Sequence, residues 1–411
     1  MVSPDKRLTS EPTVAGLAGC HQRIAVSFDY PVVFARNVFD PANALLAGVL
    51  NRRGEDRRHR AVVYVDSGVA EAHGGLLGRI KDYFHAHREG MELSAPPQVV
   101  PGGEAAKTDW AIVRDVMTTI GNLHLDRQSV VIGIGGGSVL DMLGFAASVV
   151  HRGLRMVRLP TTTLAMDDAG IGVKNGMDEH GMKNFVGTFA PPFAVVNDWT
   201  FLPTLRQKDW IAGAAEAFKV AIIKDAAFFD HLCADAAALR RRDMPAMERT
   251  VEACATLHLE HIRTSGDPFE FGSARPLDFG HWAAHKLESL SGYTLGHGQA
   301  VAVGIALDSV YARRQGLLTD AETERILGGL EACGLPVWDD LLESTTAEGL
   351  PVVMAGIEEF REHLGGVLNV TLPDGLGRKV EVHAMNPDDI VEAAKFLKRR
   401  VGSNRNREFR E

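Results

Sequence analysis

SVVIGIGGGSVLDMLGFAASVVHRG (129–153) is the stretch that decides the fold class of this chain. An apolar run of strand length leads directly into glycines, and the residues that follow have the apolar spacing of a helix. Two further runs of strand length, AVVYVD (61–66) and MVRLPTTT (156–163), lie on either side of it. Strands that alternate with helices imply a parallel sheet wrapped by crossover helices. The first half of the chain is therefore predicted to be α/β, with a nucleotide-binding architecture.

The glycines of GIGGGSVLD (133–141) suit the binding of a phosphate group. Consecutive glycines let the backbone approach a pyrophosphate, and the helix that follows supplies free N–H groups. The run has neither GxGxxG spacing nor the Lys-Ser/Thr of a P-loop, so an ordinary tight turn is the alternative. Asp66 closes the first strong strand, where a carboxylate can accept a hydrogen bond from a ribose hydroxyl. PGGEAAKT (101–108) adds Glu104 and Lys107 in a glycine-rich loop, or else a solvated turn.

The composition changes near residue 200. DWIAGAAEAFKVAIIKDAAFFDHLCADAAALRRR (209–242) and MERTVEACATLHLEHIRT (247–264) have the pattern of long helices, and strand signals almost vanish. A chain of 411 residues is too long for one ordinary core. We therefore expect a nucleotide-binding α/β domain over 1–199 and a mostly helical domain over 200–411. Within the second domain, VLNVTLPDGLGRKVEVHAM (367–385) is predicted to form a hairpin.

The bulk composition, 45% hydrophobic and 24% charged, is that of a soluble globular protein. No apolar run reaches the roughly 18 residues of a membrane span. The polar N-terminus lacks a secretory signal and the four cysteines have no CxxC spacing, so a cytoplasmic location is expected. The net charge of −9 argues against a nucleic-acid-binding surface, although a few cations in one cleft can still bind an anionic substrate. The basic tail KRRVGSNRNREFRE (398–411) is predicted to be frayed and solvated.

The segment PTTTLAMDDAGIGVKNGMDEHGMKNFVGTFAPP (160–192) is polar but also contains apolar residues that a disordered linker would lack. We expect a long ordered loop, and such loops in compact proteins are usually functional. Lys174, Lys183 and Asn184 can donate hydrogen bonds to a phosphate or to sugar hydroxyls. A purely structural loop is the alternative.

Three histidines stand close together in LDFGHWAAHKLESLSGYTLGHG (277–298). His281 and His285 are four residues apart and so share a helix face, and His297 can return toward that face after a glycine-containing bend. Imidazole is a common metal ligand, but with 16 histidines in the chain, ordinary helix histidines are the alternative. Glu216 and Lys219 lie three residues apart in AGAAEAFKVAIIKD, where Glu216 would complete a Glu/His/His metal site unless the pair is a surface salt bridge.

Taken together, these segments resemble the sugar phosphate cyclase superfamily, whose founding member is 3-dehydroquinate synthase, from about residue 60 to 380. GGGSVLDMLGFAA resembles the family's NAD loop, and PTTTLAMDDAGIGVKNGMDEHGMKNFVGTF resembles its block of PTT, Asp, Lys and Lys-Asn. AGAAEAFKVAII resembles the AEVIKYGII helix, and LDFGHWAAHKLE with GHGQAVAVG resembles the LNxGHTxGHAIE and HGEAV pair. The resemblance implies an N-terminal Rossmann-like NAD-binding domain and a C-terminal, mostly α-helical metal-binding domain.

The family reaction oxidises a secondary alcohol of a sugar phosphate with NAD⁺, eliminates phosphate, returns the hydride and closes a carbocycle by an aldol addition. A metal ion that polarises the alcohol lowers its pKa. The resemblance therefore implies an NAD- and metal-dependent carbon–oxygen lyase that regenerates its NAD, with zinc or cobalt as the usual ions.

The resemblance also implies roles for individual residues. A metal would be bound by Glu216, His281 and His297. NAD would be bound by Asp66, Glu104, Lys107, Gly137, Ser138, Val139, Asp141, Thr161, Thr162, Asp168, Lys174, Lys183, Phe201 and Thr204. The reaction site would contain Lys174, Asn184, Lys219, Arg275, Asp278 and His285. Arg152 resembles an arginine that reaches the phosphate in the neighbouring subunit, which implies a homodimer.

Several departures from dehydroquinate synthases bear on the substrate. Asp278 stands where those enzymes have Asn in LNxGH, and Asp178 likewise replaces an Asn. LHLEHIRTSGDPFEFGSARP (257–276) lacks the Lys that would pair with the carboxylate of an acid substrate, and FREHLGGVLNVTL has His363 where a Lys-rich segment is usual. Loss of cations and gain of a carboxylate disfavour an acid substrate.

A neutral ketose phosphate fits this pattern better, and the chain is most similar to the sedoheptulose 7-phosphate cyclases, which form cyclitols such as 2-epi-5-epi-valiolone. The alternatives are 3-dehydroquinate synthase or another sugar phosphate cyclase, an iron-type alcohol dehydrogenase that consumes NAD, and a non-catalytic paralogue. The expected partners are a phosphorylated sugar and a second copy of the chain, without nucleic acid or membrane.

Overall fold

The computed structural model describes residues 24–180, 182–265, 267–269, 276–347, 351–363 and 365–408. It has α/β architecture, as predicted, with a parallel sheet in the first half and packed helices in the second. The strands are β1 (Val32–Ala35), β2 (His59–Asp66), β3 (Met91–Leu93), β4 (Gln98–Val100), β5 (Val130–Gly135), β6 (Arg155–Pro160), β7 (Lys174–Glu179), β8 (Met182–Phe189), β9 (Ala194–Asp198), β10 (Val370–Pro373) and β11 (Lys379–Val382).

Seven strands form the main sheet. Six of them follow the order β1-β9-β6-β5-β2-β3, and β4 pairs with the last three residues of β2, on the same side as β3. Every pairing in this sheet is parallel. All six residues of β5 are buried, as a strand covered on both faces requires. The carboxyl ends of β2, β5, β6 and β9 therefore meet at one edge, where ligands bind in open α/β sheets.

Helices cover both faces of the sheet and form the second half. They are α1 (Leu45–Leu50), α2 (Ser67–Ala72), α3 (Leu76–Ala86), α4 (Ala105–Thr108), α5 (Trp110–Asn122), α6 (Gly137–Val149), α7 (Gln207–Lys224), α8 (Ala226–Arg240), α9 (Met244–Thr264), α10 (His281–Leu290), α11 (His297–Arg314), α12 (Asp320–Cys333), α13 (Ala355–His363) and α14 (Pro387–Glu408). One apolar core lies between the sheet and α1 and α3, and another lies between the sheet and α5 and α6.

The helices of the second half share a single large core with α7 and α11 at its centre. Every residue of α7 from Trp210 to Ile223 is buried, which is typical of a helix surrounded by other helices. The predicted boundary near residue 200 falls in the short 3₁₀ segment between β9 and α7. No helix in the described ranges is both long and apolar enough to cross a membrane.

The structure corrects two expectations and confirms one. The segment predicted as a loop forms a π-helical turn at Ala165–Ala169 and an antiparallel hairpin of β7 and β8. One of its buried polar side chains is satisfied from outside the hairpin, since Arg158 donates to Asn175 Oδ1 at 2.6 Å. The tail predicted as frayed continues α14 to Glu408, and Arg400 there pairs with Glu331 at 3.0 Å. The predicted late hairpin is confirmed as β10 and β11.

Candidate metal and cofactor site

The glycine run connects β5 to α6 at the carboxyl edge of the sheet. Gly136 occupies the cap position of α6 in an extended conformation and has no side chain to cap the first N–H groups. In the first turn of α6, which contains Gly137, Ser138 and Val139, Ser138 Oγ donates to Glu104 Oε2 at 2.7 Å. This arrangement suits a ligand phosphate, because a helix start attracts anions.

Other residues predicted to bind NAD lie along the same edge. Asp66 is the last residue of β2 and accepts a hydrogen bond from the Gly68 N–H at 2.8 Å, so part of its carboxylate caps α2. Thr161 and Thr162 follow β6, and the Thr161 N–H donates to Gly135 O at 3.0 Å. Phe201 and Thr204 lie in the 3₁₀ segment after β9, where both contact His73.

A buried network of charges lies beside the glycine run. Lys107 is 4% exposed, donates to Asp141 Oδ2 at 2.9 Å and also contacts Asn184 Oδ1. Lys183 Nζ lies 3.1 Å from Glu104 Oε1 and 2.7 Å from Glu288 Oε1. Burial lowers the pKa of a lysine, but these carboxylates outweigh burial and raise the pKa of Lys183. The hairpin residue Lys183 therefore joins the two halves of the chain by ion pairs.

Glu216, His281 and His297 converge in the second half. Glu216 on α7 is fully buried, and its Oε1 lies 3.7 Å from His281 Nε2 and 3.4 Å from His297 Nε2. Among the described residues, no hydrogen bond satisfies this Oε1 atom. A buried carboxylate oxygen without a hydrogen bond is costly, and two imidazole nitrogens that face it complete a metal-ligand set. The residues present thus fit a divalent metal ion.

The other ring nitrogen of each histidine is already engaged. His281 Nδ1 lies 3.2 Å from Phe279 O, and His297 Nδ1 lies 3.1 Å from Glu288 Oε2. Since both acceptors require a donated N–H, Nε2 is the ring nitrogen of each histidine that remains available to a metal ion. Metal-binding histidines are held in this way by the groups behind them.

A second set of possible ligands shares one histidine with the first. His285, Glu288 and Nδ1 of His297 also lie close enough to hold an ion. Glu288, however, is already paired with Lys183 and His297, whereas Glu216 Oε1 has no hydrogen bond. The geometry therefore favours Glu216, His281 and His297.

Burial and charged neighbours shift the pKa values of all three residues of the triad. Burial opposes ionisation of Glu216, but Lys219 outweighs it and lowers the pKa of that carboxyl to about 2. Burial and the Lys219 ammonium lower the pKa of His281 to about 4. Burial opposes protonation of His297, but Glu288 and Glu216 raise its pKa to about 10. His281 is therefore a neutral ligand near pH 7, and a metal ion would displace a proton from His297.

Lys219 has more than one carboxylate partner. It pairs with Glu216, and Asp168 and Asp278 also raise its pKa, against the effect of burial. Asp168 lies in the π-helical turn, and His258 Nδ1 on α9 lies 2.9 Å from its Oδ1. The positive charge of Lys219 is thus already matched by the carboxylates of the protein.

The remaining predicted residues do not all lie in these two clusters. His285, one turn after His281, has its ring 5.3 Å from that of His281, and burial with the positive neighbours lowers its pKa to about 3. Lys174 is exposed at the start of β7, and Asn184 lies on the glycine-loop side. Arg275 lies outside the described residues. Arg152 is exposed at the end of α6 and lines a separate cavity.

Sequence reasoning missed three residues of the site. They are Glu288 behind His297, His258 beside Asp168, and Asp308 beneath α10. Glu288 is seven residues after His281, and this two-turn spacing on one face was the only local signal. His258 and Asp308 act across helices, so no spacing in the sequence indicates their partners.

Two family models match consecutive parts of the chain. Residues 97–212 match the model described as 3-dehydroquinate synthase N-terminal, and residues 213–355 match 3-dehydroquinate synthase C-terminal. The chain belongs to the 3-dehydroquinate synthase family of sugar phosphate cyclases. This membership favours a cyclase over an iron-type alcohol dehydrogenase.

Relatives of this cyclase include enzymes with two different names. A 2-epi-5-epi-valiolone synthase from Streptomyces glaucescens is 33% identical over 369 residues, which cover 89% of this chain and 90% of that protein. A 3-dehydroquinate synthase from Mycobacterium leprae is 30% identical over 371 residues, which cover 90% and 96%.

One solved structure is similar over nearly the whole cyclase. It is ValA, a 2-epi-5-epi-valiolone synthase from Streptomyces hygroscopicus subsp. jinggangensis 5008, with NAD⁺ and Zn²⁺ bound. The TM-score is 0.82 at 30% sequence identity, and the match covers 92% of this chain and 99% of ValA.

Asp308 on α11 fixes the start of the helix that contains His281. It is fully buried, and it accepts hydrogen bonds from the Gly280 N–H at 3.0 Å and from Trp282 Nε1 at 2.9 Å. The two helices approach so closely that a methyl group at Gly304 would lie 2.1 Å from Gly280 O. Burial raises the pKa of the Asp308 carboxyl to about 7, because the charged form is poorly solvated there.

The Asp308→Asn variant tests this contact through the pH dependence of stability. The folded cyclase holds the Asp308 proton more tightly than the unfolded chain, so its stabilising contribution is complete below about pH 4 and is lost as the pH rises through about 7. The wild type should therefore lose up to about 3 kcal/mol relative to the variant between about pH 5 and pH 8. Urea unfolding in the presence of a chelator measures both proteins.

The exposed Asp56→Asn substitution is the matched control. Its difference from wild type in the free energy of unfolding should be the same at both pH values. An Asp308→Asn difference that stays the same at both pH values would contradict the assignment.

Proposed function

We propose that this cyclase converts sedoheptulose 7-phosphate to a cyclitol such as 2-epi-5-epi-valiolone with loss of phosphate, as a carbon–oxygen lyase. The observation that carries the choice of substrate is the charge of Asp278, which adds to those of Glu216 and Asp168 around Lys219. An acid substrate would place one more carboxylate near Lys219, whose positive charge these three carboxylates already neutralise. A neutral ketose avoids this repulsion.

The proposed cofactors are NAD⁺ and a divalent metal, with zinc supported by the ions in ValA. Glu216, His281 and His297 would hold the metal, and the glycine loop with Asp66, Glu104, Thr161 and Thr162 would hold NAD⁺. When bound, the metal polarises the substrate hydroxyl and NAD⁺ accepts its hydride.

The side chains of the protein have separate proposed tasks. Lys219 and His258 keep Asp168 ionised, and Lys219 stays protonated beside the triad. Because Glu216 and Lys219 are almost completely buried, bulk water is kept away from the reacting carbons. Lys174, Asn184, Arg275 and His285 are proposed to bind the substrate phosphate, where charge-assisted hydrogen bonds are strongest.

A 3-dehydroquinate synthase is the second candidate, because relatives with that name reach similar identity. The substrates of the two candidates differ in charge, since only the dehydroquinate precursor carries a carboxylate. Selection between them therefore depends on the charges near Lys219.

Phosphate release tests the proposal most simply. Purified protein with NAD⁺ and Zn²⁺ should release phosphate from sedoheptulose 7-phosphate without net formation of NADH. The kcat/KM for the dehydroquinate precursor should be at least about 100-fold lower, because a buried like-charge contact costs several kcal/mol. Enzyme-coupled phosphate detection and absorbance at the NADH band measure both quantities.

The Asp278→Asn variant should reduce the difference in kcat/KM between the two substrates. Turnover of the acid precursor alone would refute the proposed substrate, and stoichiometric NADH would refute a cyclase.

The metal assignment is tested by His281→Ala. Removal of one of three protein ligands should reduce bound zinc after dialysis from about one ion per chain to less than about a tenth. Inductively coupled plasma mass spectrometry measures this without any reference to activity. His231→Ala, at an exposed position on α8, is the control and should retain its zinc. Full zinc content in His281→Ala would show that the ion lies elsewhere.

We further propose a homodimer in which Arg152 reaches the substrate phosphate in the partner's site. Two consecutive non-glycine residues, His151 and Arg152, have left-handed φ values of 52° and 63°. Such strain is usually retained where a side chain must be placed for function. Arg152 also lines a cavity of about 590 Å³ together with Arg52, Arg53, Arg127 and Arg155.

Mixing of two defective variants tests this arrangement. In a mixed dimer of Arg152→Ala with His281→Ala, the intact metal site of the first chain would receive Arg152 from the second. An equal mixture after subunit exchange should recover about a quarter of wild-type activity, since half of the dimers have one complete site. Light scattering establishes the dimer in each sample. A dimeric mixture without recovery would show that Arg152 acts within its own chain.

A further inference from the structure

Glu288 connects the proposed metal site to the rest of the molecule. It lies on α10 with a side chain that is only 3% exposed, and both of its carboxylate oxygens have partners. Oε1 accepts a hydrogen bond from Lys183 at 2.7 Å, and Oε2 lies 3.1 Å from His297 Nδ1. A single buried carboxylate thus contacts a metal-ligand histidine and a lysine from the hairpin.

Lys183 continues this connection toward the glycine loop. Its Nζ atom lies 3.1 Å from Glu104 Oε1, and Glu104 Oε2 accepts the Ser138 hydroxyl at 2.7 Å. Ser138 is in the first turn of α6, directly after the glycines. An unbroken series of polar contacts therefore leads from the candidate cofactor loop to His297.

Each contact in the series has a definite physical effect. A carboxylate that accepts the Nδ1–H of a histidine fixes the ring and leaves Nε2 available for a metal. A buried carboxylate keeps its charge at tolerable cost only when a cation is paired with it, which is the task of Lys183. Loss of either partner would free the ring of His297 or leave Glu288 unpaired.

We infer that Glu288 is a positioning residue for His297, and that Lys183 couples metal binding to cofactor binding at the glycine loop. This inference rests on the proposed function for the identity of the two ligands. A cofactor that restrains Glu104 and Lys183 also restrains Glu288 and His297, so the entropy of ordering them is lost only once for both ligands. NAD⁺ should therefore tighten zinc binding, and zinc should tighten NAD⁺ binding by the same factor.

The experiment measures the Kd for zinc by competition with a chromogenic chelator, with and without saturating NAD⁺. In the wild type, NAD⁺ should lower this Kd by about 10-fold. Glu288→Gln should weaken zinc binding by about 10- to 100-fold without NAD⁺. In Lys183→Gln, NAD⁺ should leave the Kd for zinc almost unchanged. The NAD⁺ concentration in this measurement must be shown to saturate that variant.

The matched control is Lys286→Gln, which removes a different ion pair of α10, the one with Glu359, and should keep the 10-fold effect. The reverse measurement needs no variant, because zinc must change the Kd for NAD⁺ of the wild type by the same factor.

Any one of three results would overturn the inference. They are wild-type zinc affinity in Glu288→Gln, an unchanged effect of NAD⁺ on the zinc Kd in Lys183→Gln, and no mutual effect of the two ligands in the wild type. Failure of the proposed cofactors is distinguishable, since the wild type would then show no measurable zinc or NAD⁺ binding, whereas failure of the proposed substrate would leave both Kd values unaffected.

Discussion

The unsatisfied Oε1 atom of Glu216 is the constraint on which the site depends. A carboxylate at the centre of a fully buried helix is unfavourable unless other charges stabilise it. Lys219 supplies one such charge, and the Nε2 atoms of His281 and His297 face the remaining oxygen. A divalent cation at this position would complete the set.

Close helix packing brings those ligands together. α11 approaches α7 so closely that a methyl group at Gly298 would lie 2.6 Å from Ala212 Cα, and this contact places His297 beside Glu216. Asp308 holds the start of α10 against α11 and so fixes His281. The sheet contributes the opposite wall, because its carboxyl edge holds the glycine loop and the hairpin supplies Lys183. The two halves thus meet through the ion pairs of Lys183 and also through apolar contacts, such as those of Ile171 and Val195 with Ala255.

Local patterns in the sequence were sufficient for β2, β5 and β6, the glycine turn and the long helices of the second half, because apolar periodicity is a property of neighbouring residues. The proposed metal ligands could be chosen only from the family resemblance, since His281, His285 and His297 are equivalent by local pattern alone. The hairpin over 174–189 was missed because some of its polar residues are buried against other elements, as in the hydrogen bond from Arg158 on β6 to Asn175. Glu288 and Asp308 were missed for the same reason, because their partners lie on other elements.

Anomalous diffraction at the zinc absorption edge, from crystals grown with zinc and NAD⁺, tests the central claim most directly. We expect one strong peak within about 2.0–2.2 Å of a Glu216 oxygen and of the Nε2 atoms of His281 and His297. A peak bound instead by His285, Glu288 and Nδ1 of His297, or no peak on these helices, would contradict it.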